Sequence, residues 1–317
     1  MREVRTGAFA FAMLALLGVA APLLAPYGPG RQFPGYQYAP PMRPHVIDAD
    51  GTWHLPFGYA LRSVDPLERR YEEDRTRRVS LSQESPWFLL GSDALGRDVL
   101  SRLLIGARLS LGVALLSALL AIAIGAGVGA AAGYAGGWLD ALLMRGADLV
   151  IVLPGIYVVL ALRGVLPLVL TTTEVFGALV GVLGLVGWPP VARGVRGILI
   201  VERRLEYAEA ARALGAGPLR VLARHLLPAT RGFLAVQGTI LVPAFVMAEA
   251  TLSFVGLGFA APDPSWGAML NDAAAVRIAA DAPWLLAPAA AIFVTVFVIQ
   301  AVTSDHDNVF AAAVRRK

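Results

Sequence analysis

The sequence has no cysteine, one lysine and little charge for its length. Without cysteine, neither disulfides nor thiolate metal sites are available. The single lysine is the last residue, Lys317. A phosphate-cradling P-loop needs a lysine inside a Gly-rich strand-to-helix turn, so ATP-driven work must come from another chain. The four histidines (His45, His54, His225 and His306) are scattered without metal-ligand spacing, and a structural or solvent role is expected of each. No metal, cofactor or catalytic constellation is expected. Charged residues make up 16% of 317, against about 25% in a typical soluble protein.

What is present is apolar. Hydrophobic residues make up 57% of the chain and the mean hydropathy is +0.64, values that repeated bilayer crossings require and a soluble core does not. Six runs are long enough to cross: about Gly7–Ala25, Leu109–Ala132, Ala141–Leu162, Val175–Val195, Phe233–Gly256 and Trp284–Val302. The first follows a basic start with Arg2 and Arg5. Its apolar run exceeds the usual 7–15 residues of a signal peptide, so an uncleaved anchor is expected. In the second, Gly125, Gly127 and Gly129 crowd together, spacing that lets helix backbones approach closely in lipid.

Residues from about Pro26 to Leu90 differ in kind, being rich in Pro, Arg, acids and aromatics with no span among them. The stretch His45 to Leu55 predicts a β-hairpin, with Asp50-Gly51 as a type I′ turn. Asp65 to Arg78 mixes both charges and reads as a solvated helix or loop. This is a small folded insert rather than a linker.

Arginine sets the orientation. Eight arginines (193, 196, 203, 204, 212, 220, 224 and 231) face three glutamates (202, 206 and 209) between Arg193 and Arg231. With Arg2, Arg5 and the Arg315-Arg316-Lys317 tail, they predict both termini and this loop in the cytoplasm, which six crossings satisfy. The insert then lies outside despite Arg69, Arg70, Arg75, Arg77 and Arg78, because long loops translocate largely regardless of charge. Arg97, Arg102 and Arg108 violate the rule mildly.

The basic loop is the most informative segment. Helix formers run from Leu205 to Leu214, Gly215 suits a C′ position and Pro218 suits a first turn, so two short helices joined by a Gly turn are expected. That pattern also fits a DNA-binding helix-turn-helix. Tethering between membrane spans makes docking into a groove implausible, and no nucleic-acid partner is expected.

Glu209-Ala210-Ala211, then Gly215, then Leu226-Leu227-Pro228 resemble the EAA loop of ABC importer permeases. Gly91-Ser92-Asp93-Ala94-Leu95-Gly96-Arg97-Asp98 resembles the sequence before the second span in the dipeptide/oligopeptide group, C-type partner. Gly133-Tyr134-Ala135-Gly136-Gly137-Trp138 is similar to that family's first cytoplasmic turn. Ala248 to Gly258 and Pro262-Asp263-Pro264-Ser265-Trp266-Gly267 are similar to its fifth span and next outer loop. The resemblance covers about residues 90–300.

That resemblance implies an all-α polytopic membrane protein of six transmembrane helices with the type I (MetI-like) ABC importer permease fold, interrupted by an extracytoplasmic insert. It divides the chain into an anchor (1–25), the insert (26–90), a five-helix permease core (91–303) with its coupling loop (196–231), and a cytoplasmic tail (304–317). The insert is longer than in many relatives. The tail sequence Thr303 to Asn308 departs from the family's usual Gly-Asp-rich ending, leaving its contact with an ATPase open.

In the family the loop forms a coupling helix seated in a cleft of the ATPase. Here that role falls on Glu206, Glu209, Ala210, Ala211, Leu214, Gly215 and Pro228. The implied partners are a second homologous permease, two ATP-binding-cassette ATPase subunits, an extracytoplasmic solute-binding protein, a peptide substrate and membrane lipid, all at the bacterial inner membrane. Similar subunits also serve nickel complexes and other small solutes.

An ion-coupled secondary transporter would show internal repeats and broken midplane helices, and none is clear. A membrane hydrolase would need paired catalytic groups.

Glu249, the clearest acid within a span, either faces the aqueous path and meets a peptide's amino group or is a buried acid bonded to a neighbouring helix. The second reading is favoured, since the family carries Glu here within a packing motif. Asp263 and Trp266 are expected at an outer gate or in a simple reversing loop. Ser92 and Asp93 are expected to cap a helix starting near Leu95. Asp148 and Arg145 are expected at the cytoplasmic interface, with Arg163 and Glu174 anchoring helix ends.

Overall fold

The computed structural model describes residues 16–314 except 17, 19, 49, 66–68, 81–85, 156, 159, 162–170 and 275–279, with backbone alone beyond 301. The first apolar run therefore lies mostly outside the described residues, as does Arg163.

Among the described residues, helical positions at 20–24 come first, followed by strands β1 (His45–Ile47), β2 (Trp53–Asp65) and β3 (Arg70–Val79). The helices are α1 (Val99–Ala135), α2 (Gly137–Val152), α3 (Thr172–Glu202), α4 (Glu206–Ala213), α5 (Pro218–Val221), α6 (Arg231–Phe254), α7 (Trp266–Asp272) and α8 (Ala287–Val314). Among the described residues, four stretches are long and apolar enough to cross a membrane: Val99–Ala135, Thr172–Glu202, Pro218–Phe254 and Pro283–Ala301. They match the second, fourth, fifth and sixth expected runs.

The third run, Ala141–Leu162, is not one helix. Its helix α2 stops at Val152, where Leu153 is extended with ψ 114°. The cause is Pro154, whose ring disfavours helical geometry in the residue before it. The sixteen residues of α2 give about 24 Å of helix, and helical positions resume at 155 beyond the break. At the other end of the chain, α8 continues to Val314, so the expected tail boundary at 303/304 is no break in the helix.

The chain divides into two compact units. Among described residues one comprises 113–249 and 295–314, the other 16–112 and 250–294. In the first, α1 packs on α3 through a glycine row. A Cβ on Gly125 would sit 2.7 Å from the Trp188 carbonyl oxygen, and one on Gly133 would sit 3.0 Å from that of Arg196. Gly129, between them, faces Ala192 and Val195 just as closely. The small-residue packing is made by Gly125, Gly129 and Gly133 with α3 as partner, whereas Gly127 of the expected set faces open space. On α3 itself, Gly187 and Gly194 leave room for the rings of Phe245 and Phe233 from α6.

In the second unit the sheet order is β1-β2-β3, antiparallel throughout. The hairpin β1–β2 forms as expected, but its turn closes from the Gly51 N–H to the Asp48 carbonyl at 2.9 Å. Gly51, at φ 78°, thus follows the turn's centre, unlike a type I′ turn centred on Asp50-Gly51. The larger correction concerns Asp65–Arg78, read as helix or loop. Arg70–Val79 is a strand, paired with β2 through Gly58↔Val79 to Asp65↔Arg70. Its mixed charges hide the alternation by which a strand is recognised.

An aromatic core supports this unit. Tyr27, Phe33, Met42, Leu61, Trp87 and Phe88 are buried together. Phe33 meets Tyr27 and Phe88 edge-on at 5.2 and 5.5 Å, a favourable quadrupole arrangement.

Candidate functional site

The loop between α3 and α6 folds from local signals. α4 ends in a Schellman motif: the Gly215 N–H donates to the Arg212 carbonyl (2.9 Å) and the Ala216 N–H to that of Ala211 (3.0 Å). Gly215 takes φ 82°, a conformation that costs a side chain about 1–2 kcal/mol. Pro218 opens the next helix at its first turn, where its missing N–H is harmless.

The expected second short helix is not separate. α5 runs through a π turn (Leu222–Leu226) and a 3-10 turn (Leu227–Thr230) into α6. Pro218–Phe254 is therefore one continuous apolar stretch. Pro228 sits in the 3-10 turn, half-buried, where lack of an N–H does not cost a regular α bond.

The loop has an inside and an outside. Ala208, Val221 and Leu226 are almost fully buried and Ala211 nearly so. Glu206, Glu209, Ala210 and Gly215 are exposed. Leu214 is 89% and Leu219 81% exposed, an apolar tip at the Gly turn flanked by the two acids of α4. Six of the seven expected coupling residues thus lie on this short helix and its turn; four carry side chains or backbone outward together with Leu214, and Ala211 packs inward.

Several arginines are held in place beneath the tip. Arg196 grips Asp140 with Nε at 2.5 Å and Nη2 at 2.7 Å, which holds the Asp140 carboxyl below its usual range. Arg193 pairs with Asp148, so the expected interface role of Asp148 has a named partner. The Arg203 Nη1 donates to the Gly133 and Tyr134 carbonyls at 3.0 and 3.1 Å. Arg212 donates from Nε to the Ala208 carbonyl (3.1 Å) and from Nη2 to that of Arg203 (2.5 Å). The Tyr207 hydroxyl donates to Glu202 at 2.5 Å; burial first, then this acceptor, push its pKa up to about 12. None of these contacts was read from the sequence, because the arginine acceptors are mostly backbone or distant in sequence.

In the second unit, the segment Gly91–Asp98 is not a helix start. α1 begins at Val99. Its cap is Asp98, whose Oδ2 accepts from the Ser101 N–H (2.8 Å) and hydroxyl (2.6 Å). Burial nonetheless pushes the Asp98 carboxyl up. Ser92, expected as a cap, instead accepts from the Ala39 N–H at 2.8 Å and donates to the Tyr36 carbonyl. Asp93 accepts from the Leu95 and Arg97 N–H groups, both at 2.9 Å, and from the Arg97 and Arg102 guanidiniums. Asp272, at the end of α7, meets Arg102 at 3.3 Å and Arg97 at 3.7 Å.

The expected path residues are placed differently from one another. Glu249 is fully buried in α6. Asp263 is half-buried, its N–H bonded to the Ala260 carbonyl at 3.1 Å. Trp266 is 4% exposed; its N–H donates to the Ser110 hydroxyl and its Nε1 to the Leu103 carbonyl, both at 3.1 Å. In this conformation it anchors α7 to α1 rather than facing water. At the start of α3, Glu174 closes a capping box with Thr171, the helix-end role expected of it. Among the described residues no cluster of three or more metal-ligand side chains occurs.

Residues 121–304 match the family described as binding-protein-dependent transport system inner membrane component. The glutathione transport system permease protein GsiD of Shigella flexneri is 41% identical over 210 residues, covering 66% of this chain and 66% of that protein. The putative peptide permease protein BOV_A0350 of Brucella ovis is 38% identical over 236 residues, 74% of this chain and 76% of that protein. The chain thus spans just under two thirds of the glutathione relative and just over three quarters of the peptide relative.

Proposed function

Because the chain belongs to the family of inner membrane components of binding-protein-dependent transport systems, we propose that it is one permease subunit of a peptide-importing ABC transporter. It forms half of the translocation path and carries no ATPase of its own. Coupling runs through Glu206, Glu209, Ala210, Ala211, Leu214, Gly215 and Pro228. The observation that carries this reading is the tip of the loop, where Leu214 stands 89% exposed beside the exposed acids of α4. An exposed leucine on a rigid, Gly-closed turn fits a cleft in another protein.

The assembly has a second homologous permease, two ATPase subunits on the cytoplasmic face and an extracytoplasmic binding protein that delivers a peptide. The chain crosses six times with both termini cytoplasmic, and the insert (26–90) lies outside. The core (91–303), the coupling loop (196–231) and the tail (304–317) follow. Glu249 either meets the peptide along the path or is a buried acid packed on a neighbouring helix. Asp263 and Trp266 form an outer gate or a simple reversing loop, and transport alternates the bundle between two states. Such alternation requires ligands that bind the two states differently.

Purification of the tagged chain from mild detergent, with co-purifying subunits identified by mass spectrometry, tests this. Recovery of a P-loop ATPase and a second permease is the expected result. Recovery of the chain alone, from membranes where it is abundant and folded, would overturn it. Uptake of a nickel complex by the purified assembly, without peptide uptake, would replace the substrate and leave the architecture.

A further inference from the structure

The contacts on the entry side of α4 form a continuous chain. Arg203 follows the last residue of α3, and its guanidinium binds the Gly133 and Tyr134 carbonyls at 3.0 and 3.1 Å. Those carbonyls belong to the last turn of α1, where acceptors lack helical partners and the peptide dipoles leave partial negative charge. One cation thus closes the end of α1. The carbonyl of the same Arg203 accepts from Arg212 at 2.5 Å, and Arg212 is tied back to its own helix through the Ala208 carbonyl at 3.1 Å. Tyr207, one turn earlier, is bonded to Glu202 on α3 at 2.5 Å. With its pKa at about 12, that phenol remains a donor at neutral pH.

The exit side is built otherwise. Between α5 and α6 the backbone passes through the π and 3-10 turns of 222–230, where regular i→i+4 bonding is interrupted. The loop is therefore held by charged side-chain bonds where it leaves α3 and by irregular helix where it enters α6.

We propose that Arg203 and Arg212 are positioning residues for coupling, a clamp that makes α4 and the C-terminal end of α1 move as one body. This rests on the permease reading above. A push on the exposed face of α4 passes through Arg212 to the Arg203 backbone, and through the Arg203 guanidinium to α1. The close packing of Gly133 against Arg196 then carries α1 and α3 together. Lysine keeps the charge but carries it on a compact, more strongly hydrated ammonium in place of the guanidinium whose Nη1 reaches both carbonyls.

The absence of cysteine gives a direct test. Spin labels on Ala135→Cys and Ala213→Cys, both exposed positions, report the distance between the end of α1 and α4 in the reconstituted importer. With native Arg203, one narrow distance is expected, unchanged between nucleotide-free and ATP-bound states. With Arg203→Gln it should broaden, and peptide moved per ATP should fall about tenfold, the size of a 1.4 kcal/mol effect, while the ATPase still co-purifies and hydrolyses. Arg203→Lys should fall between, and Arg212→Gln should uncouple in the same way if Arg203→Gln fails to insert. A narrow distance and native peptide-to-ATP ratio in Arg203→Gln and Arg212→Gln would overturn the clamp. So would loss of ATPase from the complex in step with transport, which marks a purely structural role. If the chain with native arginines binds no ATPase, the permease reading itself fails instead.

Discussion

Arg97 and Arg102 are 5% and 2% exposed, and both guanidiniums meet Asp93 and approach Asp272. Arg203 and Arg212 sit in the basic loop and donate to main-chain carbonyls instead. The two regions use the same side chain under different constraints. A guanidinium taken fully out of water needs an opposite charge beside it. One at the surface of helix ends is satisfied by carbonyl dipoles. Buried Asp93 and more exposed Asp272 lie against both guanidiniums, so little net charge remains there. Arg108 is exposed, and no such neutralisation accounts for it.

The strongest way to break this comparison is Asp93→Ala. It strands two buried cations, and removal of one partner from a buried pair costs about 3–5 kcal/mol. The variant should fail to accumulate or should unfold at much lower temperature in detergent. Native-like melting would mean that Asp272 alone suffices.

Next come Gly215→Leu and Glu209→Lys in the loop between α3 and α6, the proposed site of coupling. Both should abolish uptake while the protein still inserts, Gly215→Leu with a strain of about 1–2 kcal/mol at its left-handed φ. Retained uptake in both, measured in whole cells, would count against the coupling role.

Smaller again is Trp266→Phe, which removes the Nε1 bond to the Leu103 carbonyl. A loss of about 1 kcal/mol is expected, read as a modest fall in melting temperature. A gating role for the indole would instead change transport with stability intact.

The smallest effect is Asp140→Asn, the basic loop's counterpart to Asp93. Arg196 holds the Asp140 carboxyl below its ordinary value of 3.8. A depressed pKa contributes stability above the unfolded value and loses it as pH falls through the folded value. The gap in melting temperature between native protein and Asp140→Asn should therefore be small but steady down to about pH 4, closing only as pH falls further through the folded value. A gap that persists in acid would show that charge is not its source.

The fold of the loop between α3 and α6 was legible in the sequence because its signals are local. Gly215 at C′ and Pro218 at the first turn act within a few residues, and the structure puts both where those rules require. Hydrophobic runs likewise located the four crossing stretches. β3 was missed because Arg70–Val79 has no apolar period of its own; it is a strand only because β2 lies beside it. The start of α1 was misplaced because Ser92 and Asp93 look like caps, whereas Tyr36, Ala39, Arg97 and Arg102 claim their side chains. The break at Leu153 was legible in Pro154 and was overlooked within a long apolar run.

Composition by itself determined the class of this protein: a chain 57% hydrophobic, with no cysteine and its lone lysine at the end, belongs in a bilayer and lacks a P-loop. Periodicity, glycine and proline fixed the short helix and its turn, since those preferences act through bonds a few residues long. The tertiary structure alone decided which carboxylate each arginine meets. Arg102 and Asp272 are 170 positions apart, and Arg203 reaches back 70 to the Gly133 carbonyl. Nothing in either residue type names its partner, because a guanidinium donates to any oxygen that packing brings within reach.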